Sequence, residues 1–177
     1  MVNEFMSYFH LLITILFFIF VCIVTWNLTK VYRSLSNSNI KNKNFSKAIQ
    51  ILESAVIIAW IIILSILIGI LLVFIFGVRG SFNKYTNAMY LNLKYLTGEH
   101  KILVITRIII FSTLIGYSLL IGSLIISVNY YLKRSPGDYK KEIGVLEEIA
   151  KLLLIHTFIF ILVQFVIFIF GYMFRNK

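Results

Sequence analysis

Polar side chains inside long apolar stretches are the first candidates for chemistry in this chain. His156 and Gln164 lie in the last apolar stretch, and Thr157 precedes Gln164 by two helical turns on the same side of a helix. An ionisable or amide group at membrane depth is a functional candidate, because hydrocarbon offers it no hydrogen-bond partner. We favour hydrogen bonding between helices at these positions, and the alternative is a proton or ligand site.

Sequence motifs of soluble catalysis are absent. The chain has no phosphate-binding GxxxxGK[ST] loop, no HExxH zinc motif, no CxxC pair and no GxSxG nucleophile turn. Its one cysteine, Cys22, lies in the first apolar stretch, where a lone thiol behaves as a small apolar side chain. We therefore expect a non-enzymatic protein with no catalytic residue, no metal site, no cofactor and no small-molecule substrate.

Small residues recur along two of the apolar stretches. On a helix with 100° per residue, each set falls within about 60° of arc. Small side chains allow helix backbones to approach closely in lipid, so we predict helix packing at these positions. The alternative is a permeation path lined by hydroxyl groups. The sets are Ser54, Ser65 and Gly69 in one stretch, and Ser112, Gly116, Ser123 and Ser127 in the other.

The elements that must position these residues are four apolar blocks. Of 177 residues, 60% are hydrophobic and 14% charged, whereas soluble domains carry about 45–50% and about 25%. Each block approaches the ~20 residues that cross ~30 Å of hydrocarbon as a helix. The sequence predicts an all-α integral membrane protein with a single membrane domain, a four-helix antiparallel bundle, and excludes soluble enzymes, zinc fingers and disulfide scaffolds. The expected spans are about 8–28, 55–78, 102–132 and 149–174.

The segment between the second and third spans has helical periodicity. Its apolar residues step by three and four positions, and Asn and Lys occupy the remaining faces. We expect a helix over about 82–96 that lies in the membrane interface, and the alternative is a connector packed on the ends of the bundle. The apolar stripe consists of Phe82, Tyr85, Met89, Leu93 and Leu96.

The third and fourth helices are expected to be longer than a bilayer requires. Ser135, Pro136 and Asp138 have the residue types of a helix start, and Ser46 has that of a cap for the second helix. A helix from Pro136 to Phe174 would be more than ~50 Å long, against a hydrocarbon core of ~30 Å. We therefore expect helices three and four to project beyond one membrane face.

Basic residues cluster beside the apolar blocks. The net charge is +10, from 17 Lys and Arg against 7 Asp and Glu. Because these cations flank membrane spans, anionic headgroups are a simpler partner than nucleic acid. The first and third loops carry the larger share, which predicts that they are cytoplasmic and both termini are not. The residues expected to contact headgroups or a partner protein are Lys41, Lys43, Lys47, Lys133, Arg134, Lys140 and Lys141.

Two segments resemble small multi-span membrane proteins of large icosahedral DNA viruses. The first begins at Phe45-Ser46-Lys47-Ala48 and reaches Trp60 through regularly placed alanines. The second, Tyr130-Tyr131-Leu132-Lys133-Arg134-Ser135-Pro136, resembles the polar break before the last helix of such proteins. The resemblance implies a protein of a virion inner membrane that contacts capsid proteins through its projecting face. The first span and the loop between spans two and three depart from it.

Three functions remain open from the sequence. We favour a structural or assembly protein that anchors a larger assembly, such as a viral capsid, to a bilayer with anionic headgroups. The first alternative is an accessory subunit of an organellar respiratory complex or another membrane complex. The second is a small channel or transporter, which the sparse polar residues of the spans disfavour.

Overall fold

Four long α-helices form the described part of the chain, which in this computed structural model is residues 2–38, 42–79 and 98–173. Each contains a stretch long and apolar enough to cross a membrane. The all-helical prediction with four such helices is confirmed, and these ranges contain no strand. The helices are α1 (Val2–Ser36), α2 (Lys43–Arg79), α3 (Gly98–Leu132) and α4 (Lys140–Met173).

The predicted interfacial helix lies outside the described residues. Its stripe of Phe82, Tyr85, Met89, Leu93 and Leu96 falls between α2 and α3, and Lys41 falls between α1 and α2. These predictions therefore stay predictions.

An asparagine cap starts α2. The Asn42 Oδ1 accepts hydrogen bonds from the backbone N–H of Asn44 at 2.9 Å and of Phe45 at 3.3 Å. The Asn42 carbonyl accepts from the N–H of Ser46 at 2.9 Å. The two bonds to the side chain satisfy N–H groups that have no acceptor inside the helix, and the bond to the carbonyl is the first of the helix itself. The prediction that Ser46 is the cap is wrong, because Asn42 holds that position one turn earlier.

A tight turn at Gly137 sets the start of α4. Gly137 has φ of +139°, a conformation that side chains rarely allow, and a Cβ there would lie 2.7 Å from the Tyr139 hydroxyl oxygen. The Tyr139 hydroxyl donates to the Pro136 carbonyl at 3.2 Å, and Asp138 Oδ1 accepts from the Lys140 N–H at 3.3 Å. A helix start at Pro136 is therefore wrong by four residues, since a positive φ interrupts a right-handed helix.

Tyr139 also connects this turn to α2. Its side chain is only 7% exposed, and its ring stacks on that of Phe45 with 5.3 Å between centroids. Burial, together with the nearby Glu142 carboxylate, raises the pKa of Tyr139 above its ordinary value. The hydroxyl therefore keeps its proton and its role as a donor well above neutral pH.

The core is one apolar cluster to which all four helices contribute. The contact between α2 and α3 is the most extensive, α1 packs on α2 and α4, and α1 meets α3 at few points. Where α1 meets α4, Phe17 stacks on Phe160 with centroids 4.4 Å apart, and Ser34 donates to Glu142 at 3.3 Å. Later residues of α1 thus contact earlier residues of α4.

The turn at Gly137 gives a test of stability. We expect Gly137→Ala to lower the free energy of unfolding by about 1–3 kcal/mol, because the positive φ strains any side chain and the Cβ meets the Tyr139 ring. Gly144→Ala is the matched control: a Cβ there meets nothing within 4 Å, and alanine favours a helix. Thermal unfolding in detergent should separate the two variants, and equal midpoints would contradict the strain at Gly137.

Candidate functional site

A polar pair lies at the centre of the apolar core. The Tyr117 hydroxyl oxygen is 2.6 Å from Thr25 Oγ1, and both side chains are fully buried. The same hydroxyl is 3.5 Å from the Val21 carbonyl oxygen, to which it donates. This contact joins α1 to α3, two helices that otherwise meet at few points. The pair is not among the residues predicted from the sequence, where its one signal is a tyrosine in the middle of an aliphatic span.

His156 packs against α1 through its ring. The imidazole stacks on Phe20 with 3.9 Å between centroids and 9° between ring planes. Its Nδ1 is 2.9 Å from the Leu152 carbonyl oxygen, one turn earlier in α4. A carbonyl only accepts, so Nδ1 carries the proton in this contact. The structure thus brings His156 to a neighbouring helix by stacking, while its hydrogen bond stays within α4.

Thr157 and Gln164 lie on the stripe of α4 that includes the buried Phe160. Thr157 is 5% exposed, and its Oγ1 has no hydrogen-bond partner within the described chain. The same holds for Nε2 of Gln164 and for Oδ1 of the buried Asn129 on α3. A buried polar atom without a hydrogen-bond partner lowers the stability of the folded protein. In ranges 2–38, 42–79 and 98–173, no group of three or more His, Cys, Asp or Glu side chains could hold a metal ion.

The small residues divide into one at a helix contact and several at the surface. Gly69 approaches α3 so closely that a Cβ there would lie 3.1 Å from Cγ1 of Ile110. Ser54, Ser65 and Ser123 donate to carbonyls of their own helices, as Ser123 does to Leu120 at 2.7 Å. Close packing at the surface positions therefore stays a prediction about a neighbouring protein. The exposed residues are Ser54, Ser65, Ser112, Gly116 and Ser123, and Ser127 is half-buried.

Exposed large apolar side chains form a belt around the bundle, and one edge of this belt can be located on α1, α2 and α4. We call this edge the limit of the belt. Among the side chains that the structure describes, the last on α1 is Trp26, the first on α2 is Ile57 and the first on α4 is Leu152. The exposed Trp60 donates from its indole nitrogen to Thr29 Oγ1 at 3.2 Å. Trp60 of α2 therefore lies within about one turn of Trp26 along the bundle, so the limit falls at a similar level on different helices.

Past this limit, the exposed positions are mostly polar. We name this part of the bundle, residues 27–38, 42–56 and 121–151, the platform. The exceptions are Ile126 and Tyr130 on α3, which are 63% and 49% exposed. The exposed polar residues include Lys30, Arg33, Ser34, Gln50, Glu53, Ser54, Lys140, Lys141, Glu148 and Lys151.

Charges are paired on one side of the platform. Lys133 Nζ lies 2.8 Å from Glu147 Oε1. Residues 140–151 of α4 carry three lysines and three glutamates, so this side is close to neutral. Lys140 and Lys141 are exposed in the first turn of α4. The platform is therefore not uniformly basic.

Where the start of α2 meets the end of α3, three cations have no carboxylate partner among the described residues. We name Lys43, Lys47 and Arg134 the basic corner; all three are exposed, and none has an ion pair in the described part of the chain. Asn44 Nδ2 donates to the Arg134 carbonyl at 3.3 Å, which joins the start of α2 to the end of α3. Aromatic rings support two of the cations. Lys47 Nζ is 5.6 Å from the Tyr131 ring centroid, and the Arg134 guanidinium carbon is 3.8 Å from that of Tyr130.

No protein-family model, curated protein or solved structure gives a significant match to this chain. Its four helices, each long and apolar enough to cross a bilayer, indicate a multi-pass membrane protein. Its function therefore has to be inferred from the belt, the platform and the polar groups of the core.

Two buried threonines give a matched test of the core. Thr25→Val removes the partner of the Tyr117 hydroxyl, so we expect a loss of about 1–3 kcal/mol in the free energy of unfolding. Thr157→Val removes a hydroxyl that bonds to nothing in the described chain, so we expect no loss. Unfolding midpoints in detergent would compare the variants. An equal loss at Thr157 would show that its hydroxyl has a partner beyond the described residues.

Proposed function

We propose that this protein is a non-enzymatic structural membrane protein that holds the platform above one face of a bilayer as the attachment point of a larger assembly. The observation that carries the proposal is the shared limit of the exposed apolar belt at Trp26, Ile57 and Leu152. Past it, α1, α2 and α4 continue for 10, 14 and 12 residues, respectively. At 1.5 Å per residue, these extensions reach about 15–20 Å beyond the belt.

The order of contacts supports an antiparallel bundle. Asn44 and Lys47 near the start of α2 contact Arg134 and Tyr131 at the end of α3. Gly69, later in α2, packs near Ile110, earlier in α3. With α1 and α4 in the same relation, the loops after α1 and α3 share one end of the bundle, and both belong to the platform.

The tryptophans support the placement of the bilayer surface. Trp is enriched where hydrocarbon meets headgroups, and both Trp26 and Trp60 are exposed at the limit of the belt. Lys30 Nζ lies 5.8 Å from the Trp26 ring centroid, and a cation beside this tryptophan supports a headgroup level here, since anionic lipid attracts cations. The positive-inside count supports a cytoplasmic side for the platform.

The resemblance of the Phe45–Trp60 and Tyr130–Pro136 segments favours a virion inner membrane as the setting, with capsid proteins as the assembly that attaches. An accessory subunit of an organellar membrane complex uses the same architecture and is the alternative setting. A channel is the second alternative, and one observation favours it: Thr157 and Gln164 carry unpartnered polar atoms on the stripe of Phe160.

Gentle detergent extraction from the native source, followed by sizing and mass spectrometry, tests the proposal. We expect a complex larger than the 20.6 kDa chain. Capsid proteins in that complex would establish the virion setting, and respiratory subunits would establish the organellar one. A homo-oligomer without any other protein would contradict an anchoring role.

Liposome flux tests the channel alternative. We expect no ion flux above that of empty liposomes, because the spans have few polar residues. His156→Leu combined with Gln164→Leu should reduce assembly rather than flux, and Ile155→Leu, on an exposed position of α4, is the control. Flux in the unaltered protein that the double variant abolishes, with assembly intact, would favour the channel.

A further inference from the structure

The outer face of α3 on the platform carries an apolar stripe that leads to the basic corner. Ile126, Tyr130 and Arg134 follow one another at intervals of four residues, so they lie on one side of the helix and its last turn. The neighbouring Ser127 hydroxyl donates to the Ser123 carbonyl at 3.1 Å, which leaves this face with little unused hydrogen-bonding capacity. Single exposed apolar residues are common on protein surfaces, whereas contiguous exposed apolar surface marks interaction sites. Ile126 and Tyr130 are one turn apart and lead to the cations of the corner, so they form such a surface only together with it.

The three cations of the basic corner form no ion pair in the described part of the chain. The first turn of α2 contains no acidic residue, and the positive end of the α2 dipole meets the negative end of the α3 dipole here, so the positive charge of the corner comes from its side chains. The platform has five acidic residues. Glu147 pairs with Lys133, Glu142 accepts from Ser34, and Asp138 accepts from the Lys140 N–H; among the residues that the structure describes, neither Glu53 nor Glu148 forms an ion pair with the corner. The corner therefore offers an unneutralised site for carboxylates.

The height of this surface distinguishes a protein partner from the lipid of the same membrane. Lys47 precedes Trp60 by 13 residues, and Tyr130 follows Tyr117, which contacts α1 at Thr25, by 13 residues. Each interval is about 20 Å along a helix, whereas the headgroup layer is about 5–8 Å thick per leaflet. The basic corner and Tyr130 thus lie above the headgroups.

We propose that the basic corner and the stripe of Ile126 and Tyr130 bind an acidic amphipathic segment of a partner protein. Carboxylates of that segment face Lys43, Lys47 and Arg134, and its apolar side chains cover the stripe. The inference rests on the proposed function and specifies the partner's chemistry. Lys133, Lys140 and Lys141, which the sequence placed in the same contact set, do not take part.

Carbodiimide cross-linking of the native membrane tests the contact, because the reagent joins a lysine amine only to a carboxylate that touches it. We expect peptides in which Lys43 or Lys47 is linked to Asp or Glu in an acidic segment of another protein. The Lys133–Glu147 link within the chain is the internal positive control, since those atoms are 2.8 Å apart. Lys47→Arg keeps the charge but should remove the link at that position.

Charge reversal tests whether the contact holds the partner. We expect Lys43→Glu with Lys47→Glu to reduce co-extraction of the cross-linked protein about tenfold or more, because like charges then face each other. Lys140→Glu with Lys141→Glu changes the net charge equally at the same end and should leave co-extraction unchanged. Ile126→Ser, which keeps all charges, should weaken co-extraction through the stripe. Unfolding midpoints confirm that each variant is folded.

Each outcome separates this inference from the proposed function. Absence of any co-extracted protein contradicts the proposed function itself. A co-extracted protein that links only elsewhere, or that both charge-reversal pairs release equally, overturns the inference and leaves the anchoring role in place. A phosphatidylserine adduct on Lys43 or Lys47, with no protein link, assigns the corner to lipid and also overturns the inference.

Discussion

The hydrogen bond between Thr25 and Tyr117 is the contact on which the arrangement of the bundle depends. Lipid tails are as apolar as the helices, so the hydrophobic effect does little to hold spans together, and packing and polar contacts must do so. This bond joins α1 to α3 across the core, while α2 and α4 fill the space between them. The rest of the core is mainly apolar, with the buried Asn129 towards one end and Thr157 beside a stack of Phe17, Phe111 and Phe160 towards the other.

The platform obeys different physical rules from the spans. In the proposed placement of the bilayer, water competes there for every exposed group, and the described surface is polar except along one stripe of α3. Its turns are fixed by specific contacts: Asn42 caps α2, Gly137 allows the turn before α4, and Asn44 joins the two turns. A rigid surface of this kind suits a protein whose proposed role is to hold a partner rather than to change shape.

Hydropathy alone predicted the helices but not their ends. The length of an apolar stretch identifies a span, whereas the end of a helix depends on which side chain reaches a free N–H. Asn42 rather than Ser46 therefore caps α2. The positive φ of Gly137 moves the start of α4 from Pro136 to Lys140. The Thr25–Tyr117 pair joins residues 92 positions apart, which a single sequence does not reveal. The sequence predicted which basic residues lie together at one end of the bundle. It did not predict which of them are paired, because the pairing of Lys133 with Glu147 depends on how α3 meets α4.

The stacking of Tyr139 on Phe45 has a thermodynamic consequence. Phe45, Leu132 and Leu146 are buried in the platform, outside the proposed bilayer, so opening this region exposes apolar surface to water rather than to lipid. Hydration of apolar surface raises the heat capacity, whereas separation of helices within hydrocarbon does not. With the platform outside the bilayer, as proposed, this membrane protein has the curved temperature dependence of a soluble domain, so cooling as well as heating loosens the surface proposed to hold a partner.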